Sequence, residues 1–389
     1  PMGVLEDITE FARENGLDPG SNYGAARGLL MYNGRQYAYP CNLAAVALVC
    51  NADLFRRYGM EPPPEEWTPE EFERIGLEFT RRANAGRARQ EVFFAGAIPR
   101  MLLPLARSMG GDVFNETLTA PRLTDEAFVR ALKLYHRWVA ELHLIPDAAE
   151  IASESADGSS VNGQATPQLV AGRYGMIVSG RYVNMDLRRF RKGPVALSFS
   201  QFPEYGFKNL ILSSRNTAIY RGAKEKRYAE IFLLYLAGKE YNELIINGSD
   251  GLPPNPKWAA DNPDYHTPPG REYEGNLHTN ELRWARTIAI PESFSPYYPL
   301  ADNRIEDAYN RVANNLCTPE KALEIADRSI AHSIRETVEG TPSLRERYRQ
   351  ACELQKKIDE RKAAGRKIPA AWISNPFHLK YYGDAGRLE

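Results

Sequence analysis

Short apolar runs alternate along this chain with longer segments in which apolar residues recur at helical spacing. Residues 44–50 (AAVALVC) are not interrupted by a polar side chain, which is typical of a strand buried on both faces. Residues 92–98, 175–179, 195–200 and 217–220 predict further strands. Because helical segments separate these runs, the pattern predicts an α/β fold.

Capping residues mark the first turns of the predicted helices. Thr68 and Glu71 predict a capping box with proline at the first helical position, and Thr124 is predicted to cap a second helix. Thr318 begins a third, and residues 224–236 form another that ends before a glycine. The apolar residues that follow the three caps are Phe72, Ile75 and Phe79; Phe128, Leu132, Tyr135, Val139 and Leu142; and Ala322, Leu323, Ala326, Ile330 and Ile334.

Four regions have a different character. Residues 153–163 are small and polar, which predicts a loop, and residues 247–277 are rich in Pro and Gly and are predicted to be mostly irregular. Residues 343–367 predict a helix with nine basic and four acidic side chains, and residues 375–382 (NPFHLKYY) form an aromatic and basic end. This C-terminal part is either a solvated helix packed on the body or an element that docks a partner or a membrane surface.

Length and composition are those of a soluble globular protein with two domains. At 389 residues the chain is too long for one ordinary core, and its 43% apolar and 25% charged residues are typical of globular proteins. The 49 basic and 50 acidic residues nearly cancel, which argues against a general nucleic-acid binder or a strongly electrostatic membrane protein. We therefore expect no nucleic-acid partner.

The cysteines and the N-terminus give expectations about processing. Cys41, Cys50, Cys317 and Cys352 show neither a CxxC motif nor metal spacing, so no disulfide framework is expected. The sequence has no apolar run of about 18 residues that would span a bilayer and no signal peptide. Because the chain starts at proline without an initiator methionine, we expect a trimmed or processed form.

The sequence lacks the motifs of common enzyme classes. It has no GxSxG elbow, no GxxxxGK[ST] phosphate loop, no HExxH and no GxGxxG after a strand. His136 and His143 lie seven residues apart on one predicted helix without further metal ligands, so we expect neither a metal nor another cofactor. The carboxylate pair of a glycosidase stays an open alternative because Asp and Glu are frequent, but no motif supports it.

Residues 34–80 contain the most informative motifs. Tyr39 and Pro40 lead into the apolar run, Asn51 opens a short helix with the sequence ADLF, and a Pro-rich bend delivers Trp67 to the capped helix. This order resembles the lobe-crossing segment of the extracellular sugar-binding proteins of ABC transporters, the maltose and multiple-sugar type of family 1. In that family the segment reads YxxP, an apolar strand, Tyr-Asn-x-Asp-Leu-Phe and Pro-Pro-x-Thr-Trp-x-Glu-Phe.

Further pieces of the chain are similar to later motifs of the same family. They occur in the family's order and with similar spacing over most of residues 18–339, and this order is more specific than any single piece. The pieces are residues 105–114 (LARSMGGDVF), 168–182 (QLVAGRYGMIVSGRY), 216–238, 251–253 (GLP) and 318–326 (TPEKALEIA).

The resemblance implies a two-lobed fold of the type II periplasmic-binding-protein kind. Two α/β lobes would be joined by crossing strands, with a ligand cleft between them. Lobe one would comprise residues 1–43 and 212–291, without its N-terminal part, and lobe two residues 44–211 and 292–340. Residues 341–389 lie outside the family pattern and would form a basic helical extension.

The resemblance also implies a sugar site made of an aromatic platform and polar side chains. An aromatic ring removes the C–H face of a sugar from water at about 25 cal/mol per Å², and polar groups pair the hydroxyls. Tyr182 occupies the family's Trp position and is expected to be the platform; the alternative is that it packs the strand end. Arg181 would donate forked hydrogen bonds to hydroxyls or a carboxylate, or form a surface salt bridge. Asn42 would add a polar contact. Some members carry an acidic ligand-binding residue at the position of Ala44, so that contact would be absent here.

Five more residues are candidates for the cleft through their places in the family pattern. Arg100 precedes the helix that leads to Gly110 and Gly111, whose backbone would approach the ligand or adopt positive φ. Tyr205 lies before a predicted crossing strand and Tyr297 in the late return of the chain. Their structural alternatives are a solvated charge, a turn and ordinary core aromatic residues.

Together these inferences predict the substrate-binding component of an ABC importer. It would be a periplasmic or extracellular monomer that binds a mono- or oligosaccharide and delivers it to the membrane permease subunits, with a membrane anchor through a missing N-terminus as an option. The alternatives are a glycosidase or lyase, a binding protein for another polar or anionic solute, and an interaction module based on the basic tail.

Overall fold

The central element of the fold is a 13-residue strand, β3 (Tyr39–Asn51), which is buried at almost every position. The computed structural model describes residues 3–96, 99–154, 165–189, 195–298 and 304–389. The predicted strand at residues 44–50 is confirmed, and β3 extends it on the N-terminal side because these added residues also find a partner strand.

The strands form a small hairpin and one larger sheet. Their bounds are β1 (Met31–Tyr32), β2 (Arg35–Gln36), β3 (Tyr39–Asn51), β4 (Met176–Ser179), β5 (Leu197–Ser200), β6 (Leu210–Thr217) and β7 (Ala289–Pro291). Strands β1 and β2 pair with each other, and the larger sheet has the order β4–β3–β6–β7, with β5 also paired to β3. Strand β3 is antiparallel to its three partners, whereas β6 and β7 are parallel.

Strand β3 changes partner along its length. Residues 39–46 pair with β6, with a β-bulge between Pro40 and Asn42. Residues 47–50 pair with β4 on one side, and residues 48–51 pair with β5 on the other. One buried strand therefore runs from one half of the sheet into the other, which explains why its apolar pattern has no alternation.

Helices make up most of the regular structure. The α-helices are α1 (Thr9–Glu14), α2 (Arg27–Leu30), α3 (Ala52–Arg57), α4 (Pro69–Ala83), α5 (Leu102–Ser108), α6 (Glu126–His136), α7 (Ala148–Glu154), α8 (Ala165–Ala171), α9 (Val183–Leu187), α10 (Lys226–Ala237), α11 (Lys239–Gly248), α12 (Lys257–Ala260), α13 (Pro263–His266), α14 (Leu277–Thr287), α15 (Arg304–Ala313), α16 (Pro319–Gly340), α17 (Pro342–Ala363) and α18 (Pro376–Asp384). Single 3₁₀ turns occur at Pro19–Ser21, Gly24–Ala26, Pro99–Met101, Glu272–Glu274 and Ala370–Trp372, and a π-helical turn at Arg137–Glu141.

Local capping chemistry determines several helix starts as predicted. The Thr68 side chain accepts a hydrogen bond from the Glu71 backbone at 3.3 Å, and the Glu71 carboxylate accepts one from the Thr68 backbone at 2.9 Å. The capping box of α4 is therefore confirmed. Thr318 caps α16 by accepting from the Lys321 backbone at 3.3 Å, and α10 and α17 also lie where the sequence predicted helices.

The prediction of Thr124 as a helix cap is wrong. Helix α6 begins at Glu126, and Asp125 precedes it as the N-cap residue. The Asp327 carboxylate of α16 accepts a hydrogen bond from the Leu123 backbone at 2.9 Å and another from the Thr124 backbone. Because a distant helix holds this stretch of backbone, α6 starts after the anchored residues.

Two predicted strands differ from the structure. The run at residues 217–220 lies at and beyond the end of β6, which uses the more polar residues before it. The second half of β6 is partly exposed, and its main chain pairs with β3 although its side chains are polar. In the run at residues 92–98, Phe93 forms an isolated bridge with Tyr174, and residues 97–98 lie outside the described residues.

The predicted irregular regions agree in part with the structure. The loop expected at residues 153–163 starts within the end of α7, and residues 155–164 lie outside the described residues. Residues 247–277 are mostly irregular, as predicted, but contain the short helices α12 and α13. Helices of four residues are too short to show apolar periodicity. The Pro and Gly content therefore led to a prediction of irregular structure.

Helix α10 has an exposed apolar face. Tyr228, Ile231, Phe232 and Tyr235 have relative exposures of 69%, 50%, 49% and 44%. The opposite face of the helix contributes to a small core made of Ile8, Ala12, Leu17, Tyr39, Ile219, Leu233 and Leu236. An exposed apolar face of this kind is typical of a surface that contacts another molecule or chain segment.

Three chemical features of the described residues bear on the sequence-based expectations. The four cysteines are free thiols. In the described parts of the chain, every helix is too short or too polar to cross a membrane. Over the same residues, no group of three or more His, Cys, Asp or Glu side chains is placed to hold a metal ion.

Candidate functional site

Strand β4 and helix α9 meet at a corner that consists of Gly180, Arg181 and Tyr182, hereafter the Tyr182 corner. Tyr182 is the N-cap residue of α9, and its side chain is half-buried. A Cβ atom at Gly180 would lie 3.1 Å from a Glu281 carboxylate oxygen, 3.1 Å from the Tyr182 ring and 3.2 Å from the Ala44 Cβ of β3. The absence of a side chain at Gly180 therefore leaves room for the ring and the carboxylate beside β3.

Arg181 is fully buried, unlike the ligand-facing or surface side chain that the sequence analysis expected. Its Nη1 donates hydrogen bonds to the carbonyl oxygens of Ile245, at 3.1 Å, and Gly251, at 2.8 Å, and its Nη2 donates to that of Ile246. The guanidinium also lies over the Tyr265 ring, 4.7 Å from the centroid. These contacts give Arg181 a structural role within the protein.

A chain of hydrogen-bonded, mostly buried polar side chains lies behind Arg181. Arg181 Nε donates to His278 Nδ1 at 2.8 Å, so His278 Nε2 carries the ring proton and donates to the Glu274 carboxylate at 2.7 Å. Glu274 also accepts from Arg188 Nη2 at 2.8 Å. Glu281, on the same helix as His278, accepts a hydrogen bond from the Arg181 backbone at 2.6 Å. We call these five residues the corner network.

Burial and hydrogen bonds shift the pKa values in the corner network. Burial raises the pKa of Glu281 to about 8, against the opposing effect of the Arg181 backbone N–H and guanidinium. Burial lowers the pKa of His278, which agrees with the neutral ring that its hydrogen bonds require. Burial alone would raise the pKa of Glu274, but the hydrogen bonds from His278 and Arg188 hold it below its ordinary value. The network thus contains a neutral histidine between a cation and a carboxylate.

Asn42 lies at the β-bulge of β3 and is mostly buried, with 8% exposure. Its Nδ2 donates to the Asp250 carbonyl oxygen at 3.0 Å, next to the Gly251 carbonyl that accepts from Arg181. The structure therefore brings Asn42, Arg181 and Tyr182 into one region around the crossing strand, as the sequence analysis expected of a site.

Arg100 lies in the 3₁₀ turn Pro99–Met101 and is close to the end of β7. Its Nη2 is 3.9 Å from a carboxylate oxygen of Glu292, and the two side chains are 56% and 40% exposed. An exposed pair at this distance contributes little to stability. The guanidinium of Arg100 is therefore accessible to a solute.

Gly110 and Gly111 form a turn after α5, hereafter the glycine turn. Gly110 has a φ of +88°, a conformation that suits glycine. A Cβ atom at Gly110 would lie 2.8 Å from the Tyr381 hydroxyl oxygen, and one at Gly111 would lie 2.6 Å from the Ala127 Cβ. Tyr381 of α18 therefore occupies the space over Gly110 where a ligand was expected, which favours the structural alternative for this turn.

The C-terminal residues 341–389 wrap around the chain that follows the glycine turn. Asn375 Nδ2 donates to the Asp112 carboxylate at 2.8 Å and to the Phe114 carbonyl at 2.9 Å, and its Oδ1 accepts from Ser293 at 2.9 Å. The buried Glu116 carboxylate accepts hydrogen bonds from Lys362 (2.6 Å), Tyr382 (2.7 Å) and Gln355 (2.7 Å). Of the two hypotheses for this segment, these contacts support packing on the body.

Arg107 connects the glycine turn to strand β7. It is fully buried, and it donates to the Asp112 carboxylate at 2.8 Å and to the Pro291 carbonyl at 3.0 Å. Burial alone would raise the pKa of Asp112, but the charge of Arg107 and the nearby donors lower it. The ring of Phe377 lies 5.3 Å from the guanidinium carbon. A buried ion pair therefore holds the turn, β7 and the C-terminal segment together.

Tyr205 and Tyr297 contact other parts of the molecule. Tyr205 is 38% exposed, lies 5.5 Å from the Arg130 guanidinium and lines an open cavity of about 500 Å³ along α6. Tyr297 is 2% exposed and packs on Tyr348 of α17 at 4.9 Å between ring centroids. Tyr297 is thus a core residue, and Tyr205 belongs to a different surface from the Tyr182 corner.

Sequence reasoning missed Glu274, His278 and Glu281. These residues are spaced four and three apart, which places them on one helical face. The neighbouring apolar residues Leu277, Leu282 and Ala285 of α14 are buried, so this face points inward. Charged residues in register with an apolar face are therefore a signal that could have identified the corner network.

Solved structures with similar folds cover most of the chain. An ABC substrate-binding protein from Listeria monocytogenes, in complex with cycloalternan, has a TM-score of 0.68 at 20% identity over 85% of this chain and 80% of that one. UgpB from Mycobacterium tuberculosis, in complex with glycerophosphocholine, has a TM-score of 0.68 at 14% identity over 86% and 80%. The sugar-binding protein MalE from Xanthomonas citri has a TM-score of 0.66 at 15% identity over 86% and 80%.

These similarities show the fold, which is the two-lobed α/β fold that the sequence analysis predicted, with lobes joined by crossing strands. The amino-acid sequence gives independent support. A sequence model of bacterial extracellular solute-binding proteins matches residues 1–243, which is more than half of the chain. The protein therefore belongs to the family of bacterial extracellular solute-binding proteins.

Proposed function

We propose that this protein is the substrate-binding component of an ABC importer and that it binds a carbohydrate in the cleft between its two lobes. The family supports this class of function. Several proteins with similar structures were solved with sugars or a sugar alcohol: cycloalternan, α-D-tagatose, D-mannitol and maltose. The observation that carries the proposal is the half-buried ring of Tyr182, which lies beside Gly180 and, by the resemblance, at the family's aromatic position.

Lobe one would comprise residues 1–43 and 212–291, and lobe two residues 44–211 and 292–340. The change of partner in β3 between residues 46 and 47 supports a crossing close to the first of these limits. Residues 341–389 would be an extension of lobe two, because their contacts lie around the glycine turn.

The ligand site would be centred on Tyr182, with Asn42 and Arg100 as polar neighbours. The Tyr182 ring would cover the C–H face of the sugar, and the partly exposed Arg100 would pair hydroxyl groups. Asn42 would act from the β-bulge beside the corner. The contacts of Gly110 and Arg181 favour supporting roles for these two residues.

Binding would be coupled to hinge closure. A ligand that contacts both lobes in the closed form alone shifts the population toward that form, because its differential affinity drives the equilibrium. The closed form would dock on the permease subunits. We further propose a periplasmic or extracellular location, because the family is one of extracellular solute-binding proteins. The monomeric state and the optional membrane anchor stay predictions from the sequence.

A polar or anionic solute is the second candidate ligand. UgpB, which has the same TM-score as the cycloalternan-binding protein, was solved with glycerophosphocholine. The accessible guanidinium of Arg100 is chemically suited to a phosphodiester.

A thermal-shift and calorimetry panel tests both candidates. The panel contains maltose, cycloalternan, D-mannitol, D-tagatose and glycerophosphocholine. A binder at 100 times its Kd stabilises the protein by about 2.7 kcal/mol, which raises the melting temperature measurably. We expect Tyr182→Ala to weaken the binder at least about tenfold, which is about 1.4 kcal/mol.

The matched control is Tyr205→Ala, because Tyr205 is a partly exposed tyrosine on another surface. This variant should bind the same solute as the unaltered protein does. The proposal fails if none of the five solutes binds, or if the protein releases cleavage products from oligosaccharides.

A further inference from the structure

The C-terminal end of helix α11 is bound by three arginines. Arg181 donates to the carbonyls of Ile245 (3.1 Å) and Ile246, Arg271 to that of Asn247 (3.1 Å), and Arg188 to that of Gly248 (3.1 Å). The last four carbonyls of a helix have no intrahelical partner and lie at the negative end of its dipole, so guanidinium groups stabilise them. Two of the three arginines flank Tyr182 and α9 in the sequence. The Tyr182 corner is thus fastened to α11.

The Glu281 carboxylate fastens the same corner to the crossing strand. One oxygen accepts a hydrogen bond from the Ala45 backbone N–H at 3.0 Å, and the other accepts from the Arg181 backbone N–H at 2.6 Å. Glu281 is fully buried, so both bonds are shielded from water. Ala45 precedes by one residue the point at which β3 leaves β6 for its other partners. A single carboxylate therefore bridges the corner and the crossing strand.

We propose that Glu281, together with Arg181, positions the ligand site by holding the Tyr182 corner against both the crossing strand and α11 before any ligand binds. This inference rests on the proposed function, since it assigns Tyr182 to the ligand. Arg181 is held through its backbone N–H by Glu281 and through its side chain by α11. The adjacent Tyr182 then has little freedom left, and a ligand binds without ordering it.

The matched variants are Glu281→Gln and Glu274→Gln. Both carboxylates are fully buried in the corner network. Glutamine keeps the shape but has one acceptor oxygen, so it can pair with one of the two amides that Glu281 serves. Glu274 accepts from the side chains of His278 and Arg188 and from neither amide of the corner. The Glu274 variant therefore controls for replacement of a buried carboxyl group by an amide in the same network.

Hydrogen exchange of the unligated protein is the first readout. We expect at least one of the Ala45 and Arg181 amides to exchange at least about tenfold faster in Glu281→Gln, because the single acceptor oxygen of glutamine leaves the other amide without its buried hydrogen bond. In Glu274→Gln these two amides should exchange within about threefold of the unaltered protein, since their acceptor is intact. Unchanged exchange in Glu281→Gln, or equal increases in both variants, overturns the proposal.

Maltose affinity by calorimetry is the second readout. We expect a Kd at least about tenfold weaker for Glu281→Gln and within about threefold for Glu274→Gln. Equal losses would show a merely structural effect and overturn the positioning role. If the unaltered protein does not bind maltose, maltose is excluded as its ligand, and the exchange experiment still decides the inference.

A measurement on the unaltered protein covers the case in which Glu281→Gln does not fold. Because the corner is set in advance, the Ala45 and Arg181 amides should be strongly protected without ligand and unchanged on addition of maltose. Weak protection that rises when maltose is added would show that the ligand orders the corner, and this result overturns the proposal.

Discussion

The Tyr182 corner and the glycine turn carry similar sequence signals but differ in what lies behind them. Each combines glycine with a place in the family's ligand-site pattern. Behind Gly180 lies a buried network of charges, and the aromatic ring in front of it is half-buried. At Gly110 the aromatic ring belongs to the C-terminal segment and occupies the space itself.

The difference shows that a glycine in a family motif does not identify a ligand contact. A missing side chain creates space, and another part of the chain decides what uses that space. At Gly180 the neighbour is the proposed platform of the site, whereas at Gly110 it is Tyr381, whose ring also packs on Phe207 at 5.1 Å between centroids. Under the proposed function the first glycine would serve binding, whereas the second serves packing of the C-terminal segment.

The largest expected effect concerns stability behind the glycine turn. Arg107→Met leaves the Asp112 carboxylate buried without its cation, and we expect the free energy of unfolding to fall by about 3–5 kcal/mol. The control is Arg122→Met, since Arg122 and Asp125 form an exposed pair with 53% and 36% exposure. It should cost at most about 1 kcal/mol. Urea unfolding measures both, and a loss below about 1 kcal/mol for Arg107→Met would refute the structural role of this pair.

The two regions should also respond to pH in opposite directions. Burial raises the pKa of Glu281 to about 8, so between its ordinary value of 4.5 and 8 the folded state holds a proton that the unfolded state has lost. The free energy of unfolding therefore falls as pH rises through this range. Burial opposes ionisation of Glu116 too, but His378 and Lys362 lower its pKa from 4.5 to about 2, so its contribution is lost as pH falls through that range.

Substitution by glutamine separates these two contributions. Glu281→Gln should flatten the pH dependence of unfolding between about pH 4.5 and 8, and Glu116→Gln should flatten it between about pH 2 and 4.5. Each carboxyl can contribute a slope of up to about 1.4 kcal/mol per pH unit. Chemical unfolding at a series of pH values provides the test. If both variants flattened the pH dependence over the same range, the assignment of the two ranges to Glu281 and Glu116 would be wrong.

The smallest effects come from adding one methyl group at each glycine. Gly110→Ala forces a left-handed backbone on alanine and meets Tyr381, so we expect about 1–2 kcal/mol less stability and unchanged maltose affinity. Gly180→Ala crowds the Tyr182 ring and the Glu281 carboxylate, each 3.1 Å from the added Cβ, and we expect about tenfold weaker maltose binding. Calorimetry and thermal unfolding measure the two quantities. The reverse pattern would show that the glycine turn, and not the Tyr182 corner, contacts the sugar.

Elements with short-range causes were predictable from the sequence. The apolar run at residues 44–50 became the middle of β3, and the Thr68 capping box started α4. These features depend on neighbours within four residues, which the sequence displays directly. The polar half of β6 was missed because its strand conformation comes from pairing with β3 and not from its own side chains.

The role of Arg181 could not be predicted for the same physical reason. Its carbonyl acceptors lie 64, 65 and 70 residues further along the chain, and the Glu281 carboxylate that holds its backbone lies 100 residues away. In the sequence Arg181 is a cation beside an aromatic residue, which suits a ligand contact or a surface pair equally well. The buried Arg181 has a third role, which is to bind backbone carbonyl oxygens inside the protein.

The sequence by itself determined the α/β pattern, the crossing strand, the main helix starts and the family. These follow from periodicity, caps and motif order, which are local properties of the chain. The tertiary structure alone decided which polar residues are buried as supports and which stay exposed, since that depends on contacts between distant segments. Two such contacts place Glu281 behind Tyr182 and Tyr381 over Gly110.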